Sequence, residues 1–171
     1  MKVIFLGGKQ VGVIGLLTTL VAGCDVLAVI PANGIVRDLA KRLLLPYYNS
    51  VKQQEVIGLL PETDLMISVH SREIIPIDIL DRVRLGGINV HPCLSEYKGT
   101  HPIERFVRDG KTRASVGVHR MIAEVDLGEV LSEVFVDIDR NVADTVAGVY
   151  NTLYPLYCFG LLDVLKRLQN E

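Results

Sequence analysis

The sequence predicts an α/β fold in which a mostly parallel sheet is covered by helices on both faces and followed by a long C-terminal helix. Between residues 2 and 90, short apolar runs alternate with segments of helical length, as in a parallel sheet buried beneath helices. The segment from 141 to 169 is apolar at helical spacing. The 171 residues, 49% of them apolar, fit one domain, which we place at 1–171.

The predicted elements follow these runs in chain order. Strands are predicted at 2–6, 25–30, 64–69 and 87–90, because each run is short, apolar and bounded by turn-forming or polar residues. Helices are predicted at 11–21, 35–45, 51–60 and 76–83. A polar loop at 91–100, a helix at 101–109 and strands at 115–121 and 129–137 follow. Asn141 is the predicted N-cap of the last helix, which runs to about Gln169.

The last predicted helix is apolar on more than one face. Two interpretations stay open at this point. The helix lies across the sheet and is simply well buried, or one of its faces meets a second copy of the chain in a homodimer, since excess apolar surface needs a partner.

Composition excludes several functional classes. The chain has 18 Lys and Arg against 20 Asp and Glu, so it lacks the basic excess that binds a phosphate backbone, and nucleic acid is an unlikely partner. The longest apolar stretch near the start, residues 11–22, is too short to span a membrane. We expect a cytoplasmic protein with no signal peptide and no membrane partner.

Cysteine and histidine spacing argues against a metal site. Cys24, Cys93 and Cys158 are far apart and are expected to be free thiols in a reducing compartment. His70, His101 and His119 are scattered without ligand spacing, so no metal is predicted.

The glycines that follow the first strand fit no nucleotide motif. Glycines 7, 8, 12 and 15 do not form GxGxxG, and no acidic residue ends the second strand to bind a ribose. Gly7 and Gly12 have Walker spacing, but Val13 occupies the lysine position. The turn could still hold an anionic group at a helix N-terminus. The favoured interpretation is that the glycines allow tight packing of helix on strand.

Asn89 and His91 are the residues that point to chemistry. They lie two apart at the end of a predicted strand, so their side chains share one side, at the carboxyl edge where open α/β sheets place their sites. An amide can stabilise an oxyanion, and an imidazole can carry a proton near neutral pH. By itself the pair also fits a structural histidine. Asp126, in the connection between the last two predicted strands, could orient His91.

The stretches INVHPCLSEYKGTHPIERFVRDG and VGVHRMIAEVDLGEVLSEVFVDI resemble the formyltransferase family. This family includes methionyl-tRNA formyltransferase, phosphoribosylglycinamide formyltransferase and the sugar-nucleotide N-formyltransferases. Its motifs are Asn-x-His-Pro after a strand, a loop often reading SLLPxYRG, and a downstream Asp-x-Gly. The chain matches them at Asn89, His91, Pro92, Lys98-Gly99 and Asp126-Leu127-Gly128, and the similarity runs from the first strand to about Asp139.

The resemblance implies a Rossmann-like sheet and transfer of a formyl group from 10-formyltetrahydrofolate, as co-substrate, to a primary amine. It implies that Asn89, His91 and Asp126 are the catalytic residues. Asn89 and protonated His91 would stabilise the tetrahedral oxyanion. His91, oriented by Asp126, would move a proton from the amine to the leaving folate nitrogen.

The resemblance also implies two folate-binding segments, one within 71–76 and one within 122–126. The residues expected to bind folate are Arg72, Glu73, Ile74, Ile122, Ala123, Glu124 and Val125. Ile74 and its neighbour Ile75 fit pocket lining and plain core equally well. Cys93 invites a Cys–His nucleophile interpretation, which is set aside because Ser is common at this position in the family.

The acceptor is less defined than the chemistry. Residues expected on the acceptor side are Lys9 and Gly12 after the first strand and Lys98 and Gly99 in the loop. This loop is one residue shorter than is usual in the family, and Lys98 replaces the more usual Arg. We expect no C-terminal tRNA-binding domain and therefore a small amine acceptor, with an amino sugar as one candidate. The alternatives are a formyltetrahydrofolate deformylase, in which water replaces the amine, and a folate-binding module without catalytic activity.

Overall fold

The computed structural model of the chain describes residues 1–170 and contains one six-stranded sheet. The strands are β1 (Lys2–Gly7), β2 (Asp25–Pro31), β3 (Leu65–Val69), β4 (Gly87–Pro92), β5 (Arg113–Arg120) and β6 (Val130–Asp137). Their order is β2-β1-β3-β4-β5-β6. The first four pair in parallel, and β5 and β6 pair antiparallel with the strands before them. The predicted α/β fold with a mostly parallel sheet is confirmed.

Within residues 1–170, five α-helices and one 3-10 turn at Leu60–Glu62 lie in the connections between strands, and a sixth α-helix follows β6. The helices are α1 (Lys9–Val21), α2 (Gly34–Arg42), α3 (Gln54–Leu59), α4 (Ile77–Leu80), α5 (Pro102–Arg108) and α6 (Val146–Leu168). The predicted start of the last helix at Asn141 is wrong. Thr145 caps α6, because its Oγ1 accepts a hydrogen bond from the Gly148 N–H at 3.0 Å, whereas Asn141 lies in a preceding turn.

Alternating residues of β1 separate two hydrophobic cores. Val3 and Phe5 belong to the core beneath α1, α2 and α6, and Ile4 and Leu6 belong to the core beneath α3 and α4. All four side chains are fully buried. Burial of each contributes about 1.5–3 kcal/mol to folding. The helices on both faces thus cover β1, which is apolar from Val3 to Leu6, as the sequence predicts.

The final helix fits the burial interpretation along most of its length. Its inward side chains pack in the first core: Val149, Leu153, Tyr157, Leu161, Val164 and Leu165. One outer side differs, because Phe159 is 62% exposed. Nearby, an apolar groove between α1 and α6 is lined by Leu17, Val21 and Cys158. Contact of this face with a second copy stays a prediction. None of the described helices is long and apolar enough to cross a membrane.

The strand order creates a crevice at the carboxyl edge of the sheet. In the sheet, β2 and β3 lie on opposite sides of β1. The connection from β1 to β2 and the connection from β3 to β4 therefore run in opposite directions across the sheet. Open α/β sheets bind ligands at such a switch point. The end of β4 lies one strand further along, and therefore the predicted catalytic residues border this crevice.

Candidate active site

Asn89 and His91 lie on β4, which extends to Pro92. The prediction that the strand ends at Val90 and that His91 begins a loop is therefore wrong. Antiparallel pairing with β5 keeps the backbone extended, and Cys93 is the first residue beyond the strand, with a left-handed φ of 52°. Both side chains are held by a strand that pairs on either side, so their backbone positions are rigid. His91 is buried and Asn89 is partly buried.

Asp126 reaches Asn89 and His91 from the β5–β6 connection. Its backbone is left-handed, with a φ of 55°, and it is 7% exposed. Gly128 allows this turn, because a Cβ at that position would lie 1.9 Å from the carbonyl oxygen of Arg120. Only glycine permits so close an approach of the two backbones. The turn places the Asp126 carboxylate over the end of β4.

The Asp126 carboxylate joins the three predicted catalytic residues. Its Oδ1 accepts a hydrogen bond from Asn89 Nδ2 at 3.2 Å, and its Oδ2 lies 3.2 Å from His91 Nε2. The backbone N–H of Gly99 also donates to Oδ2, at 2.8 Å. The structure therefore brings together the amide, the imidazole and the carboxylate that the sequence singles out.

His119 is a member of this cluster that the sequence analysis missed. It is 2% exposed, and its Nε2 lies 3.2 Å from both Asp126 Oδ1 and Asn89 Nδ2. Its Nδ1 faces the carbonyl oxygen of Arg120 at 2.9 Å, so Nδ1 carries a proton. The antiparallel register places His119 directly opposite Asn89. The sequence analysis could not place His119 here, because the spacing of histidines along the chain does not show that β5 pairs with β4.

The pKa of Asp126 is lowered, although burial acts to raise it. The hydrogen bond from His119, the charge of His91 and the Gly99 N–H together outweigh the cost of burial. The carboxylate is therefore ionised at neutral pH and can orient either imidazole.

His91 has one nitrogen that is free for chemistry. Its Nε2 lies 3.0 Å from the carbonyl oxygen of Gly99 as well as close to Asp126, so this nitrogen carries a proton. Its Nδ1 is buried and has no hydrogen-bond partner among residues 1–170. A buried imidazole nitrogen without a partner is the natural atom to exchange a proton with a bound ligand.

The two segments expected to bind folate flank the cluster with exposed apolar side chains. Ile74 is 75% exposed, Ile122 43% and Val125 58%, and Ala123 and Glu124 are exposed beside them. The core interpretation of Ile74 is wrong. Ile75 and Met121, at the bases of the two segments, are partly buried and pack against the core beneath α3 and α4.

The side chains of Arg72 and Glu73 differ in exposure and in hydrogen bonding. Arg72 is exposed. The Glu73 carboxylate accepts hydrogen bonds from the Ser50 hydroxyl at 2.6 Å and from the Val51 N–H at 3.1 Å. Its backbone N–H donates to the Ser71 hydroxyl at 3.1 Å. Glu73 therefore ties two loops together and holds the shape of its own segment.

The residues expected on the acceptor side are two lysines and two glycines, and the structure places them differently. Lys9 and Lys98 are exposed near the carboxyl edge of the sheet. Gly12 is buried in α1, where a Cβ would lie 2.9 Å from the backbone of Gly7, so packing of helix on strand accounts for it. Gly99 contacts both Asp126 and His91 through its backbone.

Two other chemistries find little support at this site. Burial raises the pKa of Cys93 to about 11, which keeps its sulfur a thiol and a poor nucleophile. Within residues 1–170, no three side chains of His, Cys, Asp or Glu are grouped to hold a metal ion.

His70, at the end of β3, provides a prediction about pH. Burial and the nearby cations Lys9 and Arg72 lower its pKa from 6.5 to about 4. In the unfolded chain the imidazole takes up a proton near pH 6.5, and in the folded chain it does not. Stability should therefore fall as the pH drops from 6.5 towards 4. We expect His70→Gln to remove part of this fall in urea unfolding at pH 7 and pH 5. An equal loss of unfolding free energy between pH 7 and pH 5 in wild type and His70→Gln would contradict the prediction. His101→Gln, at an exposed histidine, is the control.

Fold and site together define a class of protein. An open α/β sheet carries an amide, a carboxylate and an imidazole with one free nitrogen at the end of a strand, as expected of an enzyme that transfers an acyl group through an oxyanion. A family model described as Formyl transferase matches residues 8–163. The chain belongs to this family of one-carbon transferases.

Individual relatives agree with the family assignment. Methionyl-tRNA formyltransferase of Listeria monocytogenes serotype 4a is 30% identical over 183 residues, covering 96% of this chain and 57% of the Listeria protein. The chain thus spans little more than half the length of that relative.

Two solved structures share the fold. Phosphoribosylglycinamide formyltransferase from Anaplasma phagocytophilum has a TM-score of 0.82 at 20% identity, covering 99% of this chain and 88% of that one. Formyltetrahydrofolate deformylase from Pseudomonas syringae pv. tomato has a TM-score of 0.82 at 18% identity, covering 99% and 61%. The Rossmann-like formyltransferase fold that the resemblance implies is confirmed.

Proposed function

We propose that the chain is a folate-dependent N-formyltransferase, which transfers the formyl group of 10-formyltetrahydrofolate to a primary amine. The observation that carries the proposal is the cluster in which the Asp126 carboxylate contacts Asn89, His91 and His119, each at 3.2 Å. A purely structural site has no need of a buried imidazole nitrogen without a partner, which His91 Nδ1 provides.

The residues present fit a folate co-substrate. The exposed side chains of Ile74, Ile122 and Val125 offer apolar surface on both flanks of the cluster, which suits a flat heteroaromatic ring. Glu73 supports this surface indirectly, because its carboxylate holds Ser50 and Val51 and its N–H donates to the Ser71 hydroxyl, which fixes the segment that carries Ile74.

Each catalytic residue has a definite role in the proposed reaction. The amine nitrogen attacks the formyl carbon, and the carbonyl electrons move to its oxygen. Asn89 Nδ2 donates a hydrogen bond to this oxyanion. The Asn89 amide has two N–H groups, of which one donates to Asp126 Oδ1 and the other faces His119 Nε2 until it turns to the oxyanion.

His91 carries the proton in the proposed reaction. Its Nδ1 accepts a proton from the attacking amine and gives one to N10 of the folate as the bond from carbon to N10 breaks. Asp126 and the Gly99 carbonyl oxygen hold the opposite edge of the ring through contacts with Nε2. The products are the formylated amine and tetrahydrofolate, and no covalent enzyme intermediate is required.

We infer that the acceptor is a small amine, for which an amino sugar is one candidate. The net charge of −2 supports a small molecule over a nucleic acid. The Listeria relative is named for methionyl-tRNA, and the chain spans 57% of its length, so this acceptor belongs in the test. Formyltetrahydrofolate deformylase remains the second candidate, because water at the position of the amine would give formate from the same cluster.

Thermal unfolding with a stable folate analogue is the first test of the proposal. We expect 5-formyltetrahydrofolate to raise the Tm in a saturable way. With 10-formyltetrahydrofolate, transfer yields a formylated amine, and hydrolysis yields formate without an amine. An unchanged Tm at millimolar analogue would overturn the folate assignment. Binding without turnover on any acceptor, methionyl-tRNA included, would leave a folate-binding module.

A further inference from the structure

Arg105 is a half-buried cation on α5 that contacts the backbone on both sides of Gly99. Its Nη1 donates a hydrogen bond to the carbonyl oxygen of Lys98 at 2.7 Å and lies 3.4 Å from the carbonyl oxygen of Thr100. The carbonyl oxygen between these two, that of Gly99, instead lies 3.0 Å from His91 Nε2. Successive carbonyl groups of this segment therefore serve Arg105 and His91 in alternation.

An aromatic ring holds the guanidinium of Arg105 in place. The guanidinium carbon lies 4.9 Å from the centre of the Tyr97 ring, which is within the range of a cation–π contact. Tyr97 is buried, and its hydroxyl donates a hydrogen bond to Asp109 Oδ2 at 2.9 Å, immediately after α5. The ring is thus anchored to the end of the helix that carries Arg105, so the guanidinium has a fixed orientation towards the loop.

One peptide group connects Arg105 to Asp126. The peptide between Lys98 and Gly99 accepts a hydrogen bond from Arg105 on its oxygen, at 2.7 Å, and donates its N–H to Asp126 Oδ2, at 2.8 Å. The C=O and N–H of a planar trans peptide point in opposite directions, so the two charged side chains lie at opposite ends of this group. A cation on the oxygen also polarises the peptide and makes its N–H a stronger donor to the carboxylate.

We propose that Arg105 is a positioning residue for formyl transfer, which acts on Asp126 through the Lys98–Gly99 peptide and on His91 through the Gly99 carbonyl group. This inference rests on the proposed function, because it assigns Arg105 a role in orienting the groups that move the proton. Without the guanidinium the peptide is free to turn, and the Gly99 N–H and carbonyl oxygen then leave their two partners. Only the backbone of Lys98 takes part, so its exposed side chain stays free.

Amide hydrogen exchange in the absence of folate tests the inference directly. We expect Arg105→Ala to lower the protection of the Gly99 N–H about tenfold, because the peptide loses the partner on its oxygen. The Cys93 N–H, which donates to the Ser115 carbonyl oxygen at 2.8 Å at the start of the same loop, should keep its protection. Arg105→Lys retains a cation that can donate to the Lys98 carbonyl oxygen, and it should recover part of the lost protection.

Steady-state kinetics separates a positioning role from a role in binding. For Arg105→Ala we expect kcat to fall about tenfold and the KM for folate to change less than about twofold, because the loop orients His91 and does not carry the apolar folate surface. Arg105→Lys should recover part of kcat. Arg167→Ala is the matched control, since Arg167 also donates to a backbone carbonyl oxygen, that of Leu131 at 2.7 Å, and it should match the wild type in exchange and in kinetics.

Three results would overturn the inference. The first is unchanged protection of the Gly99 N–H in Arg105→Ala. The second is an equal loss at Gly99 and Cys93, which would indicate general loosening of the fold. The third is lowered Gly99 protection with an unchanged kcat. Because the exchange experiment needs neither folate nor turnover, its outcome is independent of the Tm test of the folate assignment.

Discussion

Replacement of Asn89 by alanine is expected to lower the kcat of formyl transfer about 10²–10³-fold, the usual cost of losing one oxyanion donor. Asn89 lies on a strand that pairs on both sides, and its amide contacts only Asp126 and His119 among the hydrogen bonds of the site. The backbone and the apolar loops should therefore persist. We expect steady-state kinetics to show the loss in kcat and the Tm shift by the folate analogue to remain.

A second asparagine supplies the control for Asn89→Ala. Asn141 is exposed in the turn before α6, and Asn141→Ala should leave kcat unchanged. If Asn89→Ala retained full turnover with an unchanged fold, Asn89 would not be the oxyanion donor. Loss of the Tm shift would instead mean that Asn89 holds the folate itself.

Asp126→Asn is expected to have a still larger effect, a fall in kcat of about 10²–10⁴-fold. Four groups contact the carboxylate: the Asn89 amide, the imidazoles of His91 and His119, and the Gly99 N–H. An amide offers one acceptor oxygen in place of two and turns its own NH₂ towards one of these donors, so the imidazole loses its orientation. We also expect a stability loss of about 1–3 kcal/mol in urea unfolding, because buried donors lose their partner.

The pH dependence identifies the source of this stability loss. The folded-state pKa of Asp126 is lowered, so its stabilisation is present above the unfolded value of about 3.9 and is lost as the pH falls through the folded value. The difference between wild type and Asp126→Asn should therefore shrink as the pH falls below about 4. Asp163→Asn, in an exposed pair with Arg167 on α6, is the control and should change stability little. A constant difference down to pH 2 would show that charge is not the cause.

The parallel half of the fold was predictable because each of its strands is a short apolar run between helices. The alternation in β1 leaves Val3 and Ile4 on opposite faces, and both faces are covered, as the composition indicates. Element ends were less predictable. The prediction placed His91 in a loop because polar residues surround it, whereas pairing with β5 extends the strand through Pro92. The N-cap of α6 is Thr145 and not Asn141, and residue type alone could not distinguish them, because both Asn and Thr cap helices.

The candidate site was predictable only for residues that a motif or a strand end marks. Asn89, His91 and Asp126 are found together, as expected. His119 escaped because its relation to Asn89 depends on antiparallel register and not on spacing along the chain. The lowered pKa of His70 could not be predicted either, because it depends on burial in the folded chain and on Lys9 of α1, which is remote in sequence. Histidine function is set by such surroundings more than by local sequence.

Gly99 joins the loop at 93–99 to the proposed catalytic residues, since its N–H donates to Asp126 and its carbonyl oxygen contacts His91 Nε2. Displacement of the loop therefore breaks both hydrogen bonds at once, and the free energy of loop position is coupled to that of the pair. Such coupling is reciprocal: an acceptor that fixes the loop also fixes the imidazole, and loss of Asp126 loosens the loop. In the proposed reaction, binding of the acceptor beside this loop and orientation of His91 for proton transfer are thus energetically coupled.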